Sequence, residues 1–214
     1  MATLGIESGI RQPRQQRSRD AWERILNAGV TILEEGGTTA FTIAAVCERA
    51  HVVPRAIYAR VDDKDVLFLA VYEHGMARIR RDHEVFSEAK GWRGLATDAV
   101  VTRAVREVAR IFARHARLLR AVVLISGVDP EVTSRGAAHA QDLADRFTAR
   151  LLGAGVAQAR PHPEAAIRTA FEVVFSALVI RTAYGPGFVG AAPGTEDFVA
   201  RLDVMMRNYL LQND

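Results

Sequence analysis

The chain is poor in cysteine. Cys47 is the only one, so no intrachain disulfide can form, and a reduced, cytoplasmic setting is expected. Its place on an apolar helical face marks it as a packing residue and not a redox sensor. Lysine is nearly as scarce: Lys64 and Lys90 are the only two, so almost all positive charge is arginine. With abundant alanine, that bias fits a GC-rich genome. Long apolar runs are missing. Stretches such as Val173–Ile180 fall short of the roughly 20 residues a spanning helix needs. The N-terminus lacks the basic-then-apolar order of a secretion signal. Six histidines, at 51, 74, 83, 115, 139 and 162, show no close metal-ligand pairing, so no metal and no cofactor are expected. Neither G-x-S-x-G nor H-E-x-x-H occurs, and no motif argues for an enzyme. Gly185–Gly190 matches G-x-G-x-x-G literally. It follows a long helical pattern with no βαβ unit around it, so it reads as a loop. Strand alternation and internal repeats are also absent.

Helix is what remains. At 214 residues and 49% hydrophobic composition, the chain can bury a substantial core. The formal charge of +3 is too modest to argue for nucleic acid by itself. Its distribution says more. Arg11, Arg14, Arg17 and Arg19 crowd into nine residues with no acid among them. Residues 1–17 are therefore expected to be a disordered basic arm. It is either a solvated leader or a segment that tracks phosphates or enters a minor groove.

The most informative stretch is Phe41–Leu67, FTIAAVCERAHVVPRAIYARVDDKDVL. Thr42 is a good N-cap, because its hydroxyl can accept from a free N–H of the first turn. Ile43, Val46, Cys47 and Ala50 follow at helical spacing. His51 breaks the pattern, and Val52 reads as a core plug. Pro54 stands where a second helix begins, its φ preset and no N–H needed. That helix is expected to carry Arg55, Tyr58 and Arg60. A helix–turn–helix of this kind presents its second helix to the major groove. A guanidinium at Arg55 could fork onto guanine O6 and N7 or hold a phosphate. Lys64 opens the next helix, where a cation beside free N–H groups can clamp a phosphate.

This stretch resembles the DNA-binding part of the tetracycline-repressor (TetR) family of bacterial transcriptional regulators. Thr42, Val46, Ala50, Val52, Ile57, Tyr58, Lys64 and Leu67 stand where the family pattern expects them. Four positions depart from it: His51 replaces the turn glycine, Val53 the serine cap, Cys47 an alanine and Val61 a phenylalanine. The resemblance covers about 50 residues. It implies a phosphate contact from the Tyr58 hydroxyl, which joins Thr42, Pro54, Arg55, Arg60 and Lys64 as the candidate DNA-binding residues. It also implies a helical regulatory domain whose last two long helices pair with their symmetry mates as a four-helix bundle.

The remaining pattern fits that layout. The expected fold is all-α. A helix–turn–helix domain at 18–62 opens with a helix from Ser18 to Glu35, which Gly36-Gly37 stops. A linking helix and connection occupy 63–90, and a ligand-binding and dimerisation domain 91–214. Further helices are expected over 91–115, 118–125, 130–152, 163–184 and 195–211. A small-molecule pocket between helices is expected in the larger domain. Phe112, His115, Leu119, Phe147, Phe171 and Phe175 are its candidate lining, and few charges among them point to an apolar or aromatic effector. The segment 163–184 is apolar almost all round, so it must be covered on more than one side. That suits either a central core helix or a homodimer interface. Phe171, Val174, Leu178 and Val179, with Phe198, Leu202, Met205 and Tyr209 of the last helix, are the candidate interface. The expected function is a ligand-responsive transcriptional regulator, a repressor released from a palindromic operator by a small molecule. The changed turn at His51 and Val53 leaves a second reading, a helical interaction protein that no longer binds specific DNA.

Overall fold

The computed structural model describes residues 16–190, 192 and 194–212. The described residues form nine α-helices and one 3-10 turn, with no strand. In chain order the helices are α1 (Gln16–Ala40), α2 (Ile43–Ala50), α3 (Pro54–Tyr58), α4 (Lys64–His83), α5 (Thr97–Arg114), α6 (Ala116–Ser126), α7 (Pro130–Gly153), α8 (Pro163–Tyr184) and α9 (Thr195–Leu211). The 3-10 turn, Glu84–Phe86, continues directly from α4. Two compact units divide the chain, one ending at Arg78 and the other beginning at Ile79.

In the first unit α1, α2 and α3 pack on one another. Ile25, Val30, Ile32 and Leu33 of α1 meet a core completed by Phe41, Val46, Ile57, Leu67 and Val71, all buried. Gly29 permits the close approach of α1 and α4, since a Cβ there would collide with Val71. The expected stop at Gly36-Gly37 is a kink: Gly37 has φ 62° and ψ −158°, and a further turn runs on to Ala40. Helix already covers Gln16 and Arg17, two residues assigned to the arm. Residues 1–15 of that arm, with Arg11 and Arg14, lie outside the described residues.

In the second unit α8 packs against α5, α6, α7 and α9. Asp129 caps α7 by accepting from the N–H groups of Glu131 and Val132 at 2.9 and 3.2 Å. The helix expected from residue 91 starts only at Thr97. Gly91 and Gly94 take φ of 80° and 75°, which breaks helical geometry, and Trp92 turns inward to donate to the Val85 carbonyl at 2.8 Å. A row of rings runs through this core. Trp92 meets Phe86, Phe86 meets Phe147, Phe147 meets Phe171, Phe171 stacks on Phe175 and Phe175 meets Phe112. Centroid separations of 5.3–5.9 Å are those of attractive offset or edge-on pairs.

Candidate nucleic-acid interface

The local chemistry of Phe41–Leu67 builds the helix–turn–helix. Thr42 is extended, and its Oγ1 accepts from the Ala45 N–H at 3.1 Å. His51 ends α2 in the left-handed region, φ 52° and ψ 51°. The Val52 N–H then reaches back to the Cys47 carbonyl at 3.0 Å, the 6→1 bond of a Schellman ending. Arg24 of α1 donates to the Ala50 carbonyl at 3.4 Å, tying the same end to the first helix. Burial raises the Cys47 thiol above its ordinary pKa, as suits a packing residue. Val53 is the N-cap of α3 and makes no side-chain cap bond, and Pro54 follows in the first turn.

The outcome is an exposed edge made of Thr42, Val53, Pro54, Arg55 and Tyr58, while Ile57 anchors α3 from beneath. Tyr58 keeps 49% of its surface in solvent, so its hydroxyl can reach a partner. Lys64 is exposed at the first turn of α4. Asp63 Oδ1 already accepts from the Val66 N–H there at 2.8 Å. Any phosphate at this helix end would compete with that carboxylate.

Arg60 departs from expectation. Helix α3 ends at Tyr58, and Arg60 lies beyond it, only 6% exposed. Its guanidinium donates to the Ser18 carbonyl at 3.1 Å and to the Ser18 hydroxyl, and stands 5.8 Å from the centre of the Trp22 ring. Burial lowers its pKa. Arg60 is thus a tie between α3 and α1, not an outward arginine. The spacing of exposed arginines on a helix could not reveal this, because the partner lies 42 residues away. The same contact brings the first turn of α1, with exposed Arg17 and Arg19, beside the end of α3.

The residues assigned to a ligand site divide. Phe112, Phe147, Phe171 and Phe175 do come together, in the ring row, and Leu119 is buried. His115 is committed elsewhere. Its Nε2 lies 2.9 Å from Asp82 Oδ2, and Arg114 donates to the same carboxylate at 2.8 Å. Burial alone would raise the Asp82 carboxyl, but the bonds from His115 and Arg114 outweigh it and hold it below its ordinary value.

The assigned dimer residues divide too. Phe171, Val174, Leu178 and Leu202 are buried within this chain, so they belong to its own core. Val179 is half-buried, and Phe198 lies under the Arg181 guanidinium at 4.6 Å. Met205 and Tyr209 do face outward. The inward stripe of α9 is Leu202, Met206 and Leu210, a rotation of about one residue from the expected one. Sequence reasoning left Val173, Ile180, Tyr184 and Val204 out of the interface, and they are also exposed apolar residues of these helices.

The N-terminal segment and the fold have counterparts among known proteins. Residues 25–71 match the model of the tetR family of bacterial regulatory proteins. No curated protein matches the chain in sequence. Its fold resembles a TetR-like transcriptional regulator from Rhodococcus sp. RHA1 at 16% identity and a TM-score of 0.62, covering 92% of this chain and 97% of that one. It likewise resembles Salmonella enterica GusR, at 15% identity and TM-score 0.63, covering 93% and 99%. A TetR-family regulator from Mesorhizobium loti matches at 14% identity and TM-score 0.65, covering 91% and 97%. Residues 25–71 thus match the DNA-binding segment of the tetR family, and the described residues share the all-helical fold of solved TetR-like regulators.

Proposed function

We infer that the protein is a homodimeric repressor released from a palindromic operator by a small apolar or aromatic effector. The observation that carries this reading is how the last turn of α4 is held. Asp82 is bonded by Arg114 and His115 of the α5–α6 corner. His83 Nδ1 lies 2.9 Å from Asp142 Oδ2 of α7, and the Arg80 guanidinium lies 3.1 Å from His139 Nδ1. The same helix begins at Lys64, six residues after the last residue of α3. A rearrangement of α5 to α7 would therefore be passed along α4 toward the recognition helix. An effector inserting among Phe112, Phe147, Phe171 and Phe175 would do this only if it binds the released state better than the DNA-bound state.

Dimerisation through α8 and α9 is supported by their exposed Val173, Ile180, Tyr184, Val204 and Met205. Several large apolar residues left exposed on two helices that pack on each other support an interaction surface. Small residues Ala165, Thr169 and Ser176 on the outer side of α8 allow a partner helix close approach. The test has two parts. Light scattering should give twice the chain mass, and Ile180→Arg should shift it to the monomer. Selection from random DNA should return a motif with two inverted halves. A monomeric wild type, or selection without any motif, would overturn the reading.

A further inference from the structure

The segment 84–95, Val100 of α5 and the C-terminal half of α7 line an open cleft of about 740 Å³. That volume suits a small organic molecule. Its inner wall is apolar, with Phe86, Trp92 and Val100 all buried. Its border is cationic, with Arg93, Arg146 and Arg150. Not all of that charge is open. Arg146 is bonded by Asp142 and Glu84, each at 3.0 Å. Asp145, the acid on the border, is bonded by Arg168 at 2.7 Å. Arg150 differs. It donates to the Phe86 and Glu88 carbonyls at 2.6 and 2.7 Å and stands 5.3 Å from the Trp92 ring centre. Neither Arg150 nor exposed Arg93 meets a carboxylate among the described contacts. Trp92 also carries Arg103 at 4.7 Å, but Glu107 meets that guanidinium at 3.7 Å, so Arg103 adds no open charge. Bonds to carbonyls orient the Arg150 guanidinium without neutralising it. An apolar wall with two uncompensated guanidinium groups favours an anionic head on an apolar body.

We propose that this cleft binds a small amphiphilic organic anion, its apolar body against Phe86, Trp92 and Val100 and its anionic head on Arg93 and Arg150. The planar fork of arginine suits a carboxylate or a phosphate monoester equally. The site is separate from DNA binding, so the test uses the full-length protein without DNA. Octanoate and octyl phosphate serve as anionic probes, with octan-1-ol and inorganic phosphate as the two half-ligands. Binding is read by calorimetry and by the indole N–H signal of Trp92, with the Trp22 signal as an internal reference. One saturable site per chain is expected for either anion, with the Trp92 signal moving and the Trp22 signal still. Arg93 makes no other described contact, so Arg93→Gln should weaken octanoate about tenfold or more without unfolding the protein. Ala149→Trp, from an exposed position lining the cleft, should block binding at an unchanged melting temperature. Absence of saturable binding by both anions would overturn the proposal. So would octan-1-ol or inorganic phosphate binding as tightly as octanoate, or octanoate binding to Arg93→Gln as tightly as to wild type. Retention of operator binding after any of these results would leave the repressor reading standing.

Discussion

The N-cap of the recognition helix is the most direct place to perturb this fold. Val53 is extended, with φ −84° and ψ 151°, and offers no acceptor to the first turn of α3. Pro54 has no N–H, the N–H of Arg55 makes no described hydrogen bond, and that of Ala56 bonds the Val53 carbonyl at 2.9 Å. A hydroxyl at position 53 could accept from either, which is worth about 1 kcal/mol. The loss to set against it is small, because Val53 is 67% exposed. Burying a whole valine contributes ~1.5–3 kcal/mol, so the buried third is worth about 0.5–1 kcal/mol. Val53→Ser forfeits most of that, leaving a net gain of up to ~0.5 kcal/mol. Val53→Thr keeps one methyl and should gain about 0.5–1 kcal/mol. Val53→Ala loses packing and gains no cap, so it should fall about 0.5 kcal/mol below wild type. The expected order of stability is Thr, Ser, Val, Ala. Urea melts followed by the amide NMR signals of residues 43–58 measure this unit alone. An alanine variant as stable as the serine and threonine variants would refute the capping argument.

Other perturbations follow from the same structure. His51→Gly should stabilise the first unit by up to ~1 kcal/mol, since the left-handed backbone costs a non-glycine residue about that much; the same melts check it. Gly29→Ala should cost about 1–3 kcal/mol by overpacking against Val71, read as a lower melting temperature. Arg55→Ala should cost about 1–3 kcal/mol on the cognate operator and relax preference at one symmetric base position. Lys64→Ala and Tyr58→Phe should weaken all sequences alike, with only the lysine change flattening the salt dependence; titrations at two salt concentrations separate the roles. Burial lowers the His83 pKa below its ordinary 6.5 despite the opposing Asp142 carboxylate. The unfolded chain therefore takes up a proton first as pH falls through 6.5, and stability should decline below that pH. Asp82 and Asp142, both held low by their partners, should add a further loss below about pH 3.8. Melts from pH 7.5 to 5.5 should show a shallower decline in His83→Gln, and equal slopes would contradict the assignment.

Periodicity and local capping made much of the architecture legible before any coordinates. Thr42, Pro54 and Asp129 act at their helix starts within a few residues of chain, so their roles follow from neighbours alone. The left-handed turn at His51 is equally local, because it closes on the Cys47 and Glu48 carbonyls. Contacts across the fold decided the rest. Arg60 reads as an exposed arginine until Ser18, 42 residues earlier, is placed beside it. His115 reads as pocket lining until Asp82 is found 2.9 Å away. Hydrophobicity says that α8 must be covered, but not which of its apolar residues face their own core. Val174 and Leu178 turned inward, and Val173 and Ile180 outward. The cleft beside Trp92 has no linear signature, since its cationic border joins a loop residue, Arg93, to a helix residue 57 positions later, Arg150. The sequence by itself determined helices, caps and the turn of the segment that matches the tetR family, because those depend on short-range backbone chemistry. Only the tertiary structure decided which side chains were used up inside the fold and which remained to meet a partner, because burial and pairing depend on groups that the chain brings together from far apart.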